Sequence, residues 1–430
     1  MASTVRALSG YQHRLLDAEL DVLLEGLPAV SIEGPKGVGK TATALERAAT
    51  VYRLDDAGQR QVAQADPARL LTGSAPILID EWQRMPDSWD VVRRAVDAEP
   101  TPGRFLLTGS AEPAGTQTHS GAGRIVPVRM RPLSLFERGI EPSVSLADLL
   151  AGTRDEIGGR TSVGLDDYVT EILTGGFPAF RGLPERALRV QLDGYLARVI
   201  DRDFPEQGMT LRRPDTLRGW MRAYAAATAT SASFEVIRDA ATPGVGNKPS
   251  KTTTQPWRDI LTRLWLLDPV PAWLPTNNRL KELGAAEKHH LTDPALAARL
   301  LNITAAKLLA GESGYAAFPR SGTLLGALFE SLVALDLRVY AQAAEAEVRH
   351  LRTYGGEHEV DFIITGADGG IVAIEVKLSA TVDDRDLRHL KWLRQHIGDE
   401  LTDAVLITTG GQAYRRADGV AVVPAALLGP

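Results

Sequence analysis

Residues 34 to 41 read Gly-Pro-Lys-Gly-Val-Gly-Lys-Thr, and this run restricts the fold more than any other segment of the chain. It follows an apolar stretch, Pro28 to Glu33, that reads as a short buried strand, and it precedes Thr41 to Thr50, which is rich in helix formers. Glycines spaced through a strand-to-helix turn let the backbone curl until its N–H groups point inward, and the positive end of the helix dipole adds to them. The product is an anion cradle inside an α/β domain. Gly34, Pro35, Lys36, Gly37, Val38, Gly39, Lys40 and Thr41 are therefore the candidate binding residues for the phosphates of ATP. In this reading Lys40 reaches the β- and γ-phosphates as a point charge, and the Thr41 hydroxyl ligates Mg2+. A glycine-bearing loop can match such a pattern by chance, so a second motif decides.

That motif lies forty positions after Lys40, where the apolar run Pro76 to Asp80 ends in the carboxylates Asp80 and Glu81. It looks like a Walker B strand, with Asp80 holding Mg2+ and Glu81 polarising the water that attacks the γ-phosphate. A third apolar strand, Arg104 to Thr108, closes on Thr108-Gly109-Ser110. Thr108 at its end is a candidate for orienting that water or sensing the γ-phosphate, the alternative being an ordinary strand exit. Ala114 to Gly123 is rich in Gly, Ser and Thr and reads as a loop, after which Arg124 opens a strand that also carries Arg129 and Arg131. Arg124 is either a finger that stabilises transition-state charge in a neighbouring subunit or a structural arginine.

Composition narrows the class. The chain has 430 residues, enough for about three domains by length, and is 44% hydrophobic and 24% charged, as folded chains are. No apolar run approaches the roughly 20 residues needed to cross a bilayer, and the opening residues lack the basic-then-apolar pattern of a secretion signal. A cytoplasmic protein without a membrane partner is expected. The absence of cysteine removes disulfides, thiolate metal sites and a cysteine nucleophile together. A net charge of −6 argues against indiscriminate coating of nucleic acid but leaves room for a local basic groove.

Several motifs together resemble one large prokaryotic group. They are the glycine loop, Ile-Asp-Glu-Trp-Gln (79 to 83), Leu-Thr-Gly-Ser (107 to 110), Gly-Arg (123 to 124), Met-Arg-Pro-Leu-Ser-Leu-Phe-Glu (130 to 137) and Gly-Gly-Phe-Pro (175 to 178). The group comprises AAA-type P-loop ATPases with a C-terminal domain of unknown function related to restriction endonucleases. The resemblance covers nearly the whole chain. It also reaches Tyr11 to Arg14, and so implies a contact between the nucleotide base and a residue near Arg14.

The middle of the chain offers two further likenesses. Leu146 to Phe204 reads helical, broken at Gly175 to Pro178, and looks like the small helical lid of an AAA module. Arg198, Arg202 and Asp203 read there as a solvated helix face with local pairing. Ser231 to Leu267 resembles a winged helix-turn-helix, with helices at Phe234 to Ala240 and Thr254 to Leu266 around a loop at Gly244 to Lys251. Lys248, Lys251 and Thr252 to Thr254 would face phosphates if this module binds DNA; it serves equally as a plain protein joint. Trp257 and Trp265 read as core.

A second constellation lies near the C-terminus. Glu359 to Ile364 alternates as a strand, Ala367 to Gly370 supplies a hairpin turn, and Ile371 to Lys377 returns. Residues two apart on a strand share a face, so Glu375 and Lys377 point together, with Asp361 opposite. Two carboxylates that hold Mg2+ and a lysine that orients water are a phosphodiesterase arrangement. This resembles the PD-(D/E)XK nuclease core, with Val360 in place of the signature proline and Glu330, in the apolar helix Leu324 to Leu337, as a third acid. A hairpin with surface Glu-x-Lys pairing and a nuclease fold kept only as a DNA platform are the alternatives.

The expected architecture is thus α/β. A P-loop AAA-type ATPase domain spans residues 1–145, a helical lid 146–210, a winged-helix-like domain 211–315 and a restriction-endonuclease-like α/β domain 316–430. The expected activity is Mg2+-dependent ATP hydrolysis by a homo-oligomer, a ring being one form, coupled to DNA remodelling. The alternatives are an ATP-gated nuclease in DNA processing or defence, and a nucleotide switch that binds a protein partner.

Overall fold

The computed structural model describes residues 10–110, 121–153, 156–211, 213–241, 248–275, 285–310 and 323–430. Strands β1 (Ala29–Glu33), β2 (Thr50–Arg53), β3 (Ile77–Asp80), β4 (Phe105–Gly109) and β5 (Val126–Arg129) form a parallel sheet in the order β2-β3-β4-β1-β5. Both faces are covered, which is why the central strands are continuously apolar rather than alternating. Val30, Ile32, Leu78, Leu106 and Val128 join one core, while Ala29, Ile77, Ile79, Phe105 and Leu107 join another on the opposite face. Because β4 lies between β1 and β3, with Thr108 opposite both Ile32 and Asp80, the carboxyl ends of three strands meet beside the glycine loop.

The helix after that loop is shorter than its composition suggests. It runs only Lys40–Leu45, and Thr50, the end of the stretch read as helix-forming, is instead buried in β2 against β3. Arg124 sits in the turn before β5 rather than on the strand, and residues 114–120 of the Gly/Ser/Thr-rich loop lie outside the described residues.

A second, mixed sheet of seven strands organises the C-terminal part. Its members are β7 (Gly158–Arg160), β8 (Ala346–Arg352), β9 (Glu359–Gly366), β10 (Ile371–Val376), β11 (Leu401–Thr408), β12 (Gln412–Arg415) and β13 (Ala421–Pro424), in the order β7-β12-β13-β11-β10-β9-β8. The stretch read as the start of a helical lid departs from that reading. Its helix Leu146–Ala151 ends at Gly152 in a left-handed conformation. On either side β6 (Val144–Ser145) pairs with β14 (Leu428–Gly429), and β7 extends the second sheet beside β12. Residues 144–153 and 156–160 therefore complete the C-terminal unit.

The middle region is helical: Leu165–Thr174, Glu185–Arg198, Pro214–Ala226, Phe234–Ala240, Lys251–Arg263 and Pro294–Leu300. After Lys251–Arg263, Leu267 and Val270 bridge antiparallel to Leu291 and Lys288. Residues 244–247 of the loop between the two helices of the expected winged helix-turn-helix lie outside the described residues. Helix Leu324–Ala343 ties the regions together. It is buried along most of its length, its Asp336 accepts from the Leu135 N–H at 2.8 Å, and its apolar side chains belong to the same core as β1 and β13. No described helix is long and apolar enough to cross a membrane.

Candidate functional site

At the glycine loop the backbone approaches β5 so closely that a Cβ on Gly34 would lie 2.1 Å from the Met130 carbonyl oxygen. Gly39 has φ 104°, a conformation that side chains other than glycine's rarely adopt. The loop is thereby curled around the Lys40 ammonium, which donates to the carbonyls of Gly34 at 2.8 Å and Pro35 at 2.9 Å. Burial pushes the Lys40 pKa down to about 8; the neighbouring Lys36 acts in the same sense, and Glu81 and Asp80 oppose it.

Below the loop one carboxylate oxygen collects two hydroxyls. Thr41 donates to Asp80 Oδ1 at 2.7 Å and Thr108 donates to the same atom at 2.5 Å, with Asp80 only 4% exposed. The Thr41 hydroxyl and Asp80 carboxylate form a hard oxygen set that fits Mg2+, an ion that takes one or two protein oxygens and completes its shell with phosphates and water. Thr108 also accepts from the Glu81 N–H at 3.3 Å. It therefore fixes both acids, and its hydroxyl is committed to them rather than aimed at a water. Glu81 has the left-handed backbone φ 58°, ψ 45°, a sparsely populated state for a side-chain-bearing residue that concentrates at active sites. Burial raises its pKa, while Lys40 and a 2.6 Å hydrogen bond from Gln83 Nε2 act against the rise. Gln83 was not singled out from sequence, although its place two residues after the acid pair was the available signal.

Three residues assigned to this site occupy other settings. The Arg14 guanidinium donates to Glu137 at 2.9 Å, to the Val38 carbonyl at 2.9 Å and to the Arg131 carbonyl at 2.7 Å. It braces the loop, and its donors are spent on protein oxygens rather than presented to a base. Arg124, with its side chain 44% exposed, pairs with Asp97 of its own chain at 2.7 Å. Lys36 is held by the turn after helix Glu185–Arg198: Asp203 accepts from it at 2.5 Å and Glu206 at 3.3 Å. Asp203 is thus not on a solvated face as its charged neighbours suggested; it is 4% exposed and salt-bridged to the loop. Arg129 and Arg131 converge with Arg338 on the buried Asp268, at 3.0, 3.1 and 2.7 Å, which fastens β5 to the middle region.

The second constellation also assembles, around a residue that sequence reasoning passed over. With Phe362 opposite Ile374, β9 and β10 bring Asp361 beside Glu375, and Asp361 accepts from the Val376 N–H at 2.9 Å. The Lys288 ammonium, 1% exposed, sits among Asp361 (2.9 Å), Glu330 (2.9 Å) and Glu359 (3.2 Å). Lys377 pairs with Glu375 at 3.1 Å, and burial raises the Glu375 pKa well above the usual carboxylate range. The pocket expected to hold Mg2+ therefore holds an ammonium from the middle region. Among the described residues no group of three or more His, Asp or Glu is arranged to hold a metal ion.

Comparison with known proteins agrees with the first site. Residues 27–138 match the model of an AAA domain family. Residues 165–307 and 325–428 match two families described only as domains of unknown function, DUF8612 and DUF4143. The uncharacterized proteins Rv2008c of Mycobacterium tuberculosis and Mb2031c of Mycobacterium bovis are each 28% identical over 295 residues, 66% of this chain and 59% of theirs. The match thus spans less than two thirds of those relatives. Among solved structures, the Walker-type ATPase PABY2304 of Pyrococcus abyssi aligns with a TM-score of 0.40 and 14% identity, over 69% of this chain and 97% of that one. Loop geometry and family match together make residues 27–138 an AAA-type P-loop domain.

Proposed function

We propose that the chain hydrolyses ATP with Mg2+ and couples turnover to the binding and remodelling of DNA. The observation that carries the hydrolytic part is the convergence of Thr41 and Thr108 on Asp80 Oδ1 beside a left-handed Glu81. Lys40 exchanges its loop carbonyls for the phosphates, which the inward N–H groups of the loop orient. Thr41 and Asp80 would hold Mg2+, which when bound would neutralise charge on the phosphate oxygens. Glu81, oriented by Gln83 and by the Thr108 hydroxyl, takes the proton of the attacking water.

The DNA part is supported by a surface. Ser250 caps helix Lys251–Arg263 and leaves Lys251, Thr252 and Thr253 exposed on its first turn, where backbone phosphates are commonly received. Thr254, grouped with them from sequence, is buried. The C-terminal domain fits a DNA platform better than a nuclease, because Lys288 fills the acidic pocket that cleavage would need. Assembly into an oligomer belongs to the same reading, with Arg124 leaving Asp97 to reach a neighbouring site.

An ATPase assay across single-stranded, duplex, forked and four-way DNA tests the whole. Stimulation by one of these forms is expected. Hydrolysis or binding of ATP that no DNA affects would favour a nucleotide switch acting on a protein partner, and Mg2+-dependent cleavage lost in Glu375→Ala would favour the nuclease. Unchanged hydrolysis in Arg124→Ala, with a monomer in the presence of ATP and DNA, would remove the shared site.

A further inference from the structure

The lid grips the loop at two points. A Cβ on Gly37 would lie 3.8 Å from the Phe177 ring, and Phe177 packs on Tyr195 of helix Glu185–Arg198 with ring centroids 5.1 Å apart. Directly after that helix the chain widens into a π-turn, Val199–Asp203, a feature that occurs mostly at functional sites. The π-turn delivers the buried Asp203 to Lys36 at 2.5 Å, and Glu206, one turn further, reaches Lys36 at 3.3 Å and Arg84 at 3.6 Å. Arg84 closes the short helix that begins immediately after Glu81. Two carboxylates of the lid therefore bind one cation from the loop and one from the segment behind the acid pair.

Lys36 stands where a phosphate chain would compete for it. It belongs to the same glycine loop as Lys40, and its charge bears on both Lys40 and Glu81. The Lys36 ammonium already pairs with Asp203 and Glu206, so a phosphate that draws it away weakens those contacts, and a ligand shifts a two-state equilibrium only through such a difference in contacts.

We propose that Asp203 and Glu206 form a latch that the terminal phosphate of ATP opens by taking Lys36, so that the lid segment 199–206 reports whether the loop holds a triphosphate or a diphosphate. This rests on reading the loop as an ATP site. Asp203 is a positioning residue in this scheme, since it acts on the nucleotide only through Lys36. The latch couples the occupancy of the first site to the helices of the middle region, because Phe204, beside Asp203, is part of the same core as Trp220 and Leu296.

The test combines calorimetric binding of ADP and of a non-hydrolysable ATP analogue with hydrogen exchange over residues 195–207. In the wild type, the ATP analogue should speed exchange in that segment and ADP should not. Asp203→Asn should speed exchange without nucleotide and raise affinity for the ATP analogue about tenfold while leaving ADP within about twofold, a change in ratio that a merely structural role would not produce. Glu206→Gln, at an exposed position, should move both readouts in the same direction by less, which keeps the idea testable if Asp203→Asn folds poorly. An unchanged ATP-analogue to ADP ratio in both variants, or equal exchange with the two nucleotides, overturns the latch. Failure of the wild type to bind either nucleotide overturns the ATP reading itself.

Discussion

Gln83 Nε2 donates to a carboxylate oxygen of Glu81 at 2.6 Å, across a left-handed turn that brings residues two apart face to face. That bond favours the ionised acid and partly offsets the upward push that burial gives its pKa. A general base works only when deprotonated, so hydrolysis falls as pH drops through the Glu81 pKa. Gln83→Ala removes the opposing bond, and the acid limb of the rate profile should move to higher pH. Glu81→Gln should lower hydrolysis by about 100-fold to 10,000-fold and preserve nucleotide binding. Superimposable profiles for the wild type and Gln83→Ala would show that Glu81 is not the titrating base.

Lys40 sets the other limb. Its ammonium, brought down to about 8 by burial, is charged below that pH and neutral above it, so phosphate affinity should fall as pH rises past about 8. Bound phosphates favour the charged form, and nucleotide binding should therefore take up protons near that pH. Calorimetry in buffers of different ionisation enthalpy measures the uptake directly. Lys36→Met removes a like charge from beside Lys40 and should shift the affinity loss upward; a shift downward would contradict the arrangement.

What could be read in advance was local. The strand, glycine turn, helix and acid-ended strand are contiguous signals, and the hairpin of β9 and β10 follows from alternation and a Gly-Gly turn. The partners of these motifs come from far along the chain, where no local pattern points. Asp203 meets Lys36 across 167 positions, and Arg14 meets Glu137 across 123. Lys288 reaches Asp361 across 73 positions and Glu330 across 42. Charged residues in an unpaired sequence read as solvated because most are, so burial of Asp203 and Lys288 had no signature. The joining of β7 to β12 was hidden for a related reason: a three-residue Gly-Gly-Arg strand has too little length to show a period.

Arg14 illustrates how a residue beside a ligand site can serve the scaffold. Its side chain and that of Glu137 are 4% and 2% exposed, and Glu137 also receives the N–H groups of Leu15 and Ser134. Arg14→Ala strips a buried carboxylate of its counter-ion, which should lower unfolding stability by about 3–5 kcal/mol in urea titrations. Lysine carries the charge but lacks the planar fork that reaches Glu137, Val38 and Arg131 together, so Arg14→Lys should recover less than half of the loss. Preference for ATP over GTP should stay as it is in both variants. A change of base preference without a stability loss would return Arg14 to a base contact.

Lys288 is the sharpest test of the C-terminal domain. Lys288→Met leaves Glu330, Glu359 and Asp361 facing one another in a largely dry pocket, a loss of about 3–5 kcal/mol by analogy with other broken buried pairs. The Glu330 carboxyl is already pushed up to about 8 by burial and by Asp361, even with the ammonium present. A carboxyl raised in the fold above its unfolded value of 4.5 stabilises the fold in full below that pH, and the contribution is lost as pH rises through about 8. Lys288 holds that rise down, so in Lys288→Met Glu330 should keep its proton to still higher pH, and the penalty should shrink as the solution is acidified from alkaline pH towards about 8. The same vacated acids should accept a divalent cation, so millimolar Mn2+ should raise the melting temperature of Lys288→Met and leave that of the wild type unchanged. Equal stabilisation of the two proteins by Mn2+ would mean that Lys288 does not close the pocket, and would return the nuclease reading to contention.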